Sequence, residues 1–224
     1  MGLDWNPMAR PKAGFEAEYQ SILSLDLDSL DEPEQQKYIA RFHEISEAAY
    51  ETLDAPRVGK DTRANEWLVE QVHASGKLEG LSAAEVEDLI AEEFEDNEGY
   101  HVLTLLPPSP GLPVYVPFGD YEGVDRYTFR AKFLDAVSDL LGEELHERAW
   151  RRMSPDELNE YGETLLAIGR DYARLHACEA LEEQRDPPDT DDEDSPEARA
   201  HILFSAGKWC VFWAQRGHGL DPYF

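Results

Sequence analysis

The chain has 224 residues, of which 42% are apolar and 11% aromatic, and this composition excludes an intrinsically disordered protein because a sizeable core can form. Its 48 acidic and 20 basic residues give a net charge of −28. Lys and Arg side chains are needed to displace counterions from nucleic acids and to bind anionic lipids. We therefore expect no nucleic-acid partner and no membrane partner.

The N-terminal residues and the cysteines favour a cytoplasmic protein. Residues 1–12 contain no apolar run that would act as a secretory signal, and the most apolar stretch, Ile202 to Ala214, is shorter than the roughly 20 residues of a membrane span. Cys178 and Cys210 provide neither a disulfide framework nor a ligand pair at metal spacing. We expect no metal and no cofactor.

The acidic residues are distributed unevenly along the chain. No basic residue lies between Lys77 and Arg126, whereas twelve acidic residues do. A second acidic block, from Asp186 to Glu197, holds seven acids and no base, and we interpret residues 186–195 as an acidic surface loop. The first block predicts that the folded protein has a strongly anionic face.

Apolar side chains that recur every three or four positions predict helices in the first part of the chain. A short helix is expected from Phe15 to Leu23 and a longer one from about Pro33 to Leu53. Asp61 is positioned to cap a third helix. The apolar stripe of that helix would consist of Ala64, Trp67, Leu68 and Val72.

A fourth helix begins at Ser82, with Glu85 three residues later completing a capping box that satisfies two free N–H groups. The helical pattern then breaks: Tyr100 to Leu106 is predicted as a strand, and Val114 to Phe118 as a second one. Five prolines lie in and around these segments. Proline donates no backbone hydrogen bond, so we expect a small hairpin or an extended flap lying on helices.

Helices resume near Asp125, and the strongest helix start in the chain is Ser154, which is followed by Pro155 and Glu157. The apolar residues after it alternate spacings of three and four. This heptad seam favours packing inside an intramolecular bundle over a dimeric coiled coil. The residues of the seam are Leu158, Tyr161, Leu165, Ile168, Tyr172 and Leu175.

Ser195 and Pro196 start the last helix, which is apolar on nearly every side from Ile202 to Trp213. Such a helix is normally central to a core, and Gly217 is suited to end it in the left-handed conformation. These elements predict a single all-α domain over residues 1–224. We expect a bundle of six to eight helices with a small β or extended insertion near residues 100–118.

Two patterns resemble metal sites, and we interpret neither as one. The pairs Glu70 with His73 and Glu143 with His146 match the Glu-x-x-His units of two-metal sites in helical bundles. Such pairs arise by chance in a chain this rich in glutamate, and Glu70 and His73 should face away from the apolar stripe of their helix. The segment 186–197 has the length of a calcium loop but lacks its glycine.

Two irregular segments, residues 115–130 and 216–224, combine polar and aromatic side chains. Binding sites are often built from irregular segments of this kind that a rigid scaffold holds in place. If they meet, they form a pocket suited to an anionic ligand. Its candidate residues are Tyr115, Asp120, Tyr121, Arg126, Arg130, His218, Asp221 and Tyr223. The competing interpretation is that the aromatic residues anchor the chain to the core and the charges cap helix ends.

Three functions remain open at this point. The first, which we place ahead, is a protein-binding module such as an inhibitor, an immunity-like factor or an adaptor, whose anionic face meets a basic partner. The second is an enzyme acting on an anionic small molecule through Arg126, Arg130, His218 and Asp221. The third is a nucleic-acid mimic with acids along one face. Solubility alone is an equally good explanation of the charge.

Overall fold

The structure, a computed structural model, describes residues 2–115, 124–125, 129–190, 192 and 194–224. These residues form a mainly helical fold with small two-stranded sheets, which confirms the predicted fold class. The helices are α1 (Glu16–Leu23), α2 (Glu32–Ile45), α3 (Thr62–Ala74), α4 (Ala83–Asn97), α5 (Ser138–Arg148), α6 (Pro155–His176) and α7 (Pro196–Ala214). The strands are β1 (Asp4–Pro7), β2 (Arg10–Pro11), β3 (Ser46–Glu47), β4 (His101–Val102), β5 (Val124–Asp125) and β6 (Leu220–Tyr223).

The centre of the molecule is α7, as its apolar sequence predicts. Most of its residues are buried, and Trp209, Cys210 and Trp213 are almost completely enclosed. Helix α6 packs antiparallel along it, since Gly162 of α6 lies against Cys210 while Gly169 lies against Phe204. Even so, no helix in the described part of the chain is long and apolar enough to cross a membrane.

The seam predicted on α6 is confirmed at four positions and wrong at its end. Leu158, Tyr161, Leu165 and Tyr172 are buried, Ile168 is half-buried, and Leu175 is 82% exposed. A straight α-helix has 3.6 residues per turn and drifts about 20° per heptad away from a strict seven-residue repeat. The buried stripe therefore shifts toward Gly162, Leu166, Gly169 and Ala173.

The two ends of the chain pair with each other, which the sequence did not predict. Strands β1 and β6 are antiparallel, with Asp4 opposite Tyr223 and Pro7 opposite Leu220. Trp5 exchanges two backbone hydrogen bonds with Phe129 on the other edge of β1, at 2.8 and 3.1 Å. Its buried indole N–H donates to the Ala149 carbonyl at 2.9 Å. Strand β1 therefore lies between β6 and the segment at Phe129.

Two expectations for the first half of the chain are wrong. Helix α2 ends at Ile45 instead of continuing to Leu53, because the next two residues leave the helix to pair with β2 and the Ile45 carbonyl accepts from the Lys12 N–H at 2.8 Å. Asp61 precedes α3 without capping it. Its carboxylate accepts from the backbone N–H of Arg57 at 2.8 Å and so closes the preceding turn.

The insertion is more irregular than the two predicted strands. Only His101–Val102 of the first forms a strand, and it pairs with β5 instead of residues 114–118. Residues 103–105 form a 3₁₀ turn. Residues 114 and 115 are not extended strand, and 116–118 lie outside the described residues.

Candidate functional site

The anionic face predicted from the sequence is carried by α4. This helix begins with the predicted capping box, in which Ser82 and Glu85 each accept from the other's backbone N–H. Its fifteen residues include seven acids and no base. One side packs against α3 through Leu89, Ile90 and Phe94, which are half-buried.

The solvent face of α4 consists of carboxylates around a strip of small side chains. Ala84, Asp88, Ala91 and Glu95 recur at spacings of four, three and four, so they form one row along the helix, and all are exposed. Glu87 and Glu92 flank this row and are exposed too. None of these four carboxylates has an ion-pair partner among the described residues.

Glu93 is the exception, because it points inward. It is only 6% exposed, and its carboxylate accepts from the Lys77 ammonium group at 2.7 Å. Lys77, the basic residue that precedes the long acid-only stretch, therefore pairs on the inner side of α4. It does not compensate the four carboxylates of the outer face.

The pocket predicted from residues 115–130 and 216–224 falls partly outside the described residues, which do not include Asp120, Tyr121 or Arg126. Tyr115 is buried, and its hydroxyl donates to Nδ1 of His201 on α7 at 2.8 Å. Burial raises the pKa of the Tyr115 hydroxyl above its ordinary value. It is thus a neutral donor inside the core and not a group on an open surface.

Arg130 lies at the Asp4 end of β1. Its guanidinium is 3.3 Å from both carboxylate oxygens of Asp4, and its backbone N–H donates to the Tyr115 carbonyl at 2.8 Å. Burial raises the pKa of the Asp4 carboxyl group, and the charge and hydrogen bonds of Arg130 oppose that shift. The cation of Arg130 is already paired within the fold.

His218 lies at the other end of β1 and is completely buried. Its Nδ1–H donates to the Met8 carbonyl at 2.8 Å, and its Nε2 is 3.2 Å from the hydroxyl oxygen of Thr52. Burial is the main cause that lowers the pKa of His218 to about 4, so the ring is neutral at physiological pH. Met8 follows Asp4 by four residue steps, which is about 13 Å of extended backbone.

The last two candidates lie on β6. Asp221 is 2.8 Å from the Arg152 guanidinium in an exposed ion pair, and Tyr223 is 53% exposed. The described candidates are thus distributed along β1 instead of converging: Arg130 and Tyr223 at one end, His218 at the other. Each of Tyr115, Arg130, His218 and Asp221 is bonded to a partner within the fold.

The sequence reasoning missed His201, the polar centre of the C-terminal half. Its Nδ1 accepts from Tyr115, and its Nε2–H donates to the backbone carbonyl of Arg185 at 3.1 Å. Burial lowers the pKa of His201, which keeps the ring in this neutral tautomer. The available signal was a histidine at the start of an otherwise apolar run, where a buried imidazole needs two partners.

The two Glu-x-x-His pairs differ in their surroundings. Glu70 and His73 are both exposed, as expected. His146 lies 3.0 Å from the Asp135 carboxylate, while Glu143 is exposed. In the part of the chain that the structure describes, no cluster of three or more His, Cys, Asp or Glu side chains is arranged to hold a metal ion.

Comparison with models of protein families, with curated proteins and with solved structures gave no match.

Proposed function

We propose that the protein is a binding module whose anionic α4 face associates with a basic protein partner. The observation that carries this proposal is the arrangement of the acids on α4. Asp88, Glu92 and Glu95 follow one another at spacings of four and three, where like charges repel and destabilise a helix. Glu92 and Glu95 also lie in the half of α4 that approaches the negative end of the helix dipole.

Solubility alone does not require this arrangement, because the same charge dispersed over the surface would repel less. An uncompensated row of carboxylates attracts a basic partner over a distance of about one Debye length and accelerates their association. Ala84 and Ala91 support the same proposal, since their short side chains let a partner approach the helix between the carboxylates.

The test compares two variants with the same change in net charge. The first neutralises the α4 face with Glu87→Gln, Asp88→Asn, Glu92→Gln and Glu95→Gln. The control neutralises four exposed carboxylates elsewhere, Glu143→Gln, Glu144→Gln, Glu163→Gln and Asp189→Asn. Each protein is used for affinity capture from native lysate at low and high salt, and association rates are then measured with each captured protein.

We expect a basic protein that binds the unmodified chain and the control variant, associates more slowly as salt rises, and is lost with the α4 variant. The proposal is wrong if every captured protein binds both variants equally or binds independently of salt. If added double-stranded DNA releases the partner from this protein, the two compete for the same basic surface, and the function is narrowed to nucleic-acid mimicry.

A further inference from the structure

A cavity of about 220 Å³ lies between the proline-rich segment 108–114 and α7. Its inner wall is apolar and buried, formed by Leu112, Phe129 and Trp209. Its outer part is polar: Ser205 and Lys208 of α7 line it together with Arg185. An apolar cavity of roughly 150 Å³ is enough to hold a benzene ring, so this one accommodates a ring with a short polar substituent.

Two of the lining residues, Arg185 and Lys208, are cations. Neither Arg185 nor Lys208 has an ion-pair partner within the described ranges, although acids outnumber bases by 48 to 20 in the chain. Lys208 is half-buried and Arg185 is exposed. One acid, Glu183, also lines the cavity, and it reduces the positive potential there without pairing with either cation.

The buried wall contributes an unsatisfied donor. Trp209 is only 1% exposed, and its indole N–H has no hydrogen-bond acceptor among the described residues. A buried donor without an acceptor is unfavourable by about the cost of its lost hydration. Ser205 adds a hydroxyl to the polar part of the cavity, one turn after His201.

The walls are held in place by the polar network of His201. The Nε2–H of His201 anchors the Arg185 backbone to α7, while Tyr115 is bonded to the other ring nitrogen. Gly111 closes the proline-rich side against α7, where a Cβ atom would lie only 1.9 Å from the Phe212 ring. The cavity is therefore preformed, which reduces the entropy lost when a ligand binds.

We propose that this cavity binds a small carboxylate with an aromatic or branched apolar body. The apolar body contacts Leu112, Phe129 and Trp209, and the carboxylate accepts charge-assisted hydrogen bonds from Lys208 and Arg185. This site is independent of the α4 face, and its ligand chemistry is the opposite of that of the basic protein partner.

Calorimetric titrations of the full chain at low salt with three probes test the assignment. Phenylacetate carries both features, benzyl alcohol keeps the ring without the charge, and acetate keeps the charge without the ring. We expect phenylacetate to bind at least about tenfold more tightly than either, because benzyl alcohol lacks the charge-assisted hydrogen bonds and acetate lacks the buried ring. In ¹⁵N-labelled protein, it should also shift the indole resonance that is absent from a Trp209→Phe variant.

Variants then separate charge recognition from a general effect on folding. Lys208→Met should weaken phenylacetate binding about tenfold without changing benzyl alcohol binding, and Lys208→Arg should restore it. Lys60→Met, which removes an exposed cation elsewhere, is the matched control. Glu183→Gln should strengthen phenylacetate binding about twofold because it removes a screened repulsion. A loss of stability does not produce such a gain.

Equal affinities for phenylacetate and benzyl alcohol would overturn the proposal. So would equal effects of Lys208→Met and Lys60→Met, or a Glu183→Gln variant that binds no more tightly than the unmodified chain.

Discussion

Gly162 and Gly207 bring the backbones of α6 and α7 into direct contact. A Cβ atom on Gly162 would lie 2.9 Å from the Gly207 carbonyl oxygen, and a Cβ atom on Gly207 would lie 2.9 Å from that of Gly162. This closeness places Cys210 against α6 and lets the tryptophans of α7 point into the rest of the core. The close approach of the two helices therefore requires glycine at both positions.

We therefore expect Gly162→Ala and Gly207→Ala each to lower the free energy of unfolding by about 1–3 kcal/mol, because overpacking outweighs the better helix propensity of alanine. Gly169→Ala is the internal comparison. Its Cβ atom would meet the Phe204 ring and the Leu203 Cβ atom at 3.1–3.2 Å, a milder overlap than the contacts at Gly162 and Gly207, so the loss should be smaller. Urea unfolding followed by circular dichroism measures all three, and a stabilised Gly162→Ala variant would contradict the close packing.

For the ion pair of Lys77 with Glu93, we expect removal of the cation alone to destabilise the protein more than removal of both charges. Lys77→Met leaves a buried carboxylate without its cation, and we expect a loss of about 1–3 kcal/mol in the free energy of unfolding. Adding Glu93→Leu should recover most of this loss, because the buried charge is then replaced by an apolar side chain. Chemical denaturation of the single and double variants is the measurement. If the double variant is less stable than Lys77→Met, the carboxylate has other buried partners.

The carboxylates on the outer face of α4 repel one another, so we expect the protein to become more stable when one of them is neutralised. Glu92→Gln removes the repulsion of Asp88 and Glu95 at one position, and each like-charge pair costs about 0.2–0.5 kcal/mol in a helix. The thermal midpoint of the variant should rise at low ionic strength, and the difference should shrink in about 1 M salt. An unchanged midpoint at low salt would mean that the carboxylates are already compensated.

His218 predicts a specific loss of stability in mild acid. Burial depresses the pKa of the folded state to about 4, below the ordinary value of 6.5, so the unfolded chain binds a proton first as the pH falls. The contribution of the neutral ring is present above pH 6.5 and is lost between pH 6.5 and 4, with a slope of up to about 1.4 kcal/mol per pH unit.

His218→Asn keeps a donor for the Met8 carbonyl but does not titrate. This variant should be less stable at pH 7 and should show a flatter dependence on pH between 6.5 and 4. The remaining slope is expected to include His201, whose pKa burial also lowers. Parallel curves for the two proteins in denaturation series across this range would show that His218 does not titrate as described.

The features that could be predicted from the sequence depend on residues close together in the chain. Ser82 with Glu85 and Ser154 with Glu157 form capping boxes as predicted, since a cap involves atoms only three residues apart. The burial of α7 followed from its composition. The prediction that Leu175 is buried was wrong because a seven-residue repeat does not match a straight helix over about five turns.

The contacts that the sequence could not predict join distant parts of the chain. β1 and β6 come from opposite ends, and no local pattern indicates that Asp4 will lie opposite Tyr223. For the same reason the sequence could predict a pocket only if residues 115–130 and 216–224 meet, whereas Arg130 is paired with Asp4 and His218 with Met8. The cations beside the apolar cavity come from separate elements and share no motif.

The sequence by itself determined the helical class, the buried last helix and the acid-only helix α4, because periodicity, composition and caps act over a few residues. Only the tertiary structure decided which charges have no ion-pair partner among the described residues: the outer carboxylates of α4 on one side, and Lys208 with Arg185 on the other. An ion pair between distant parts of the chain depends on where the two segments meet, and that is set by the packing of the whole core.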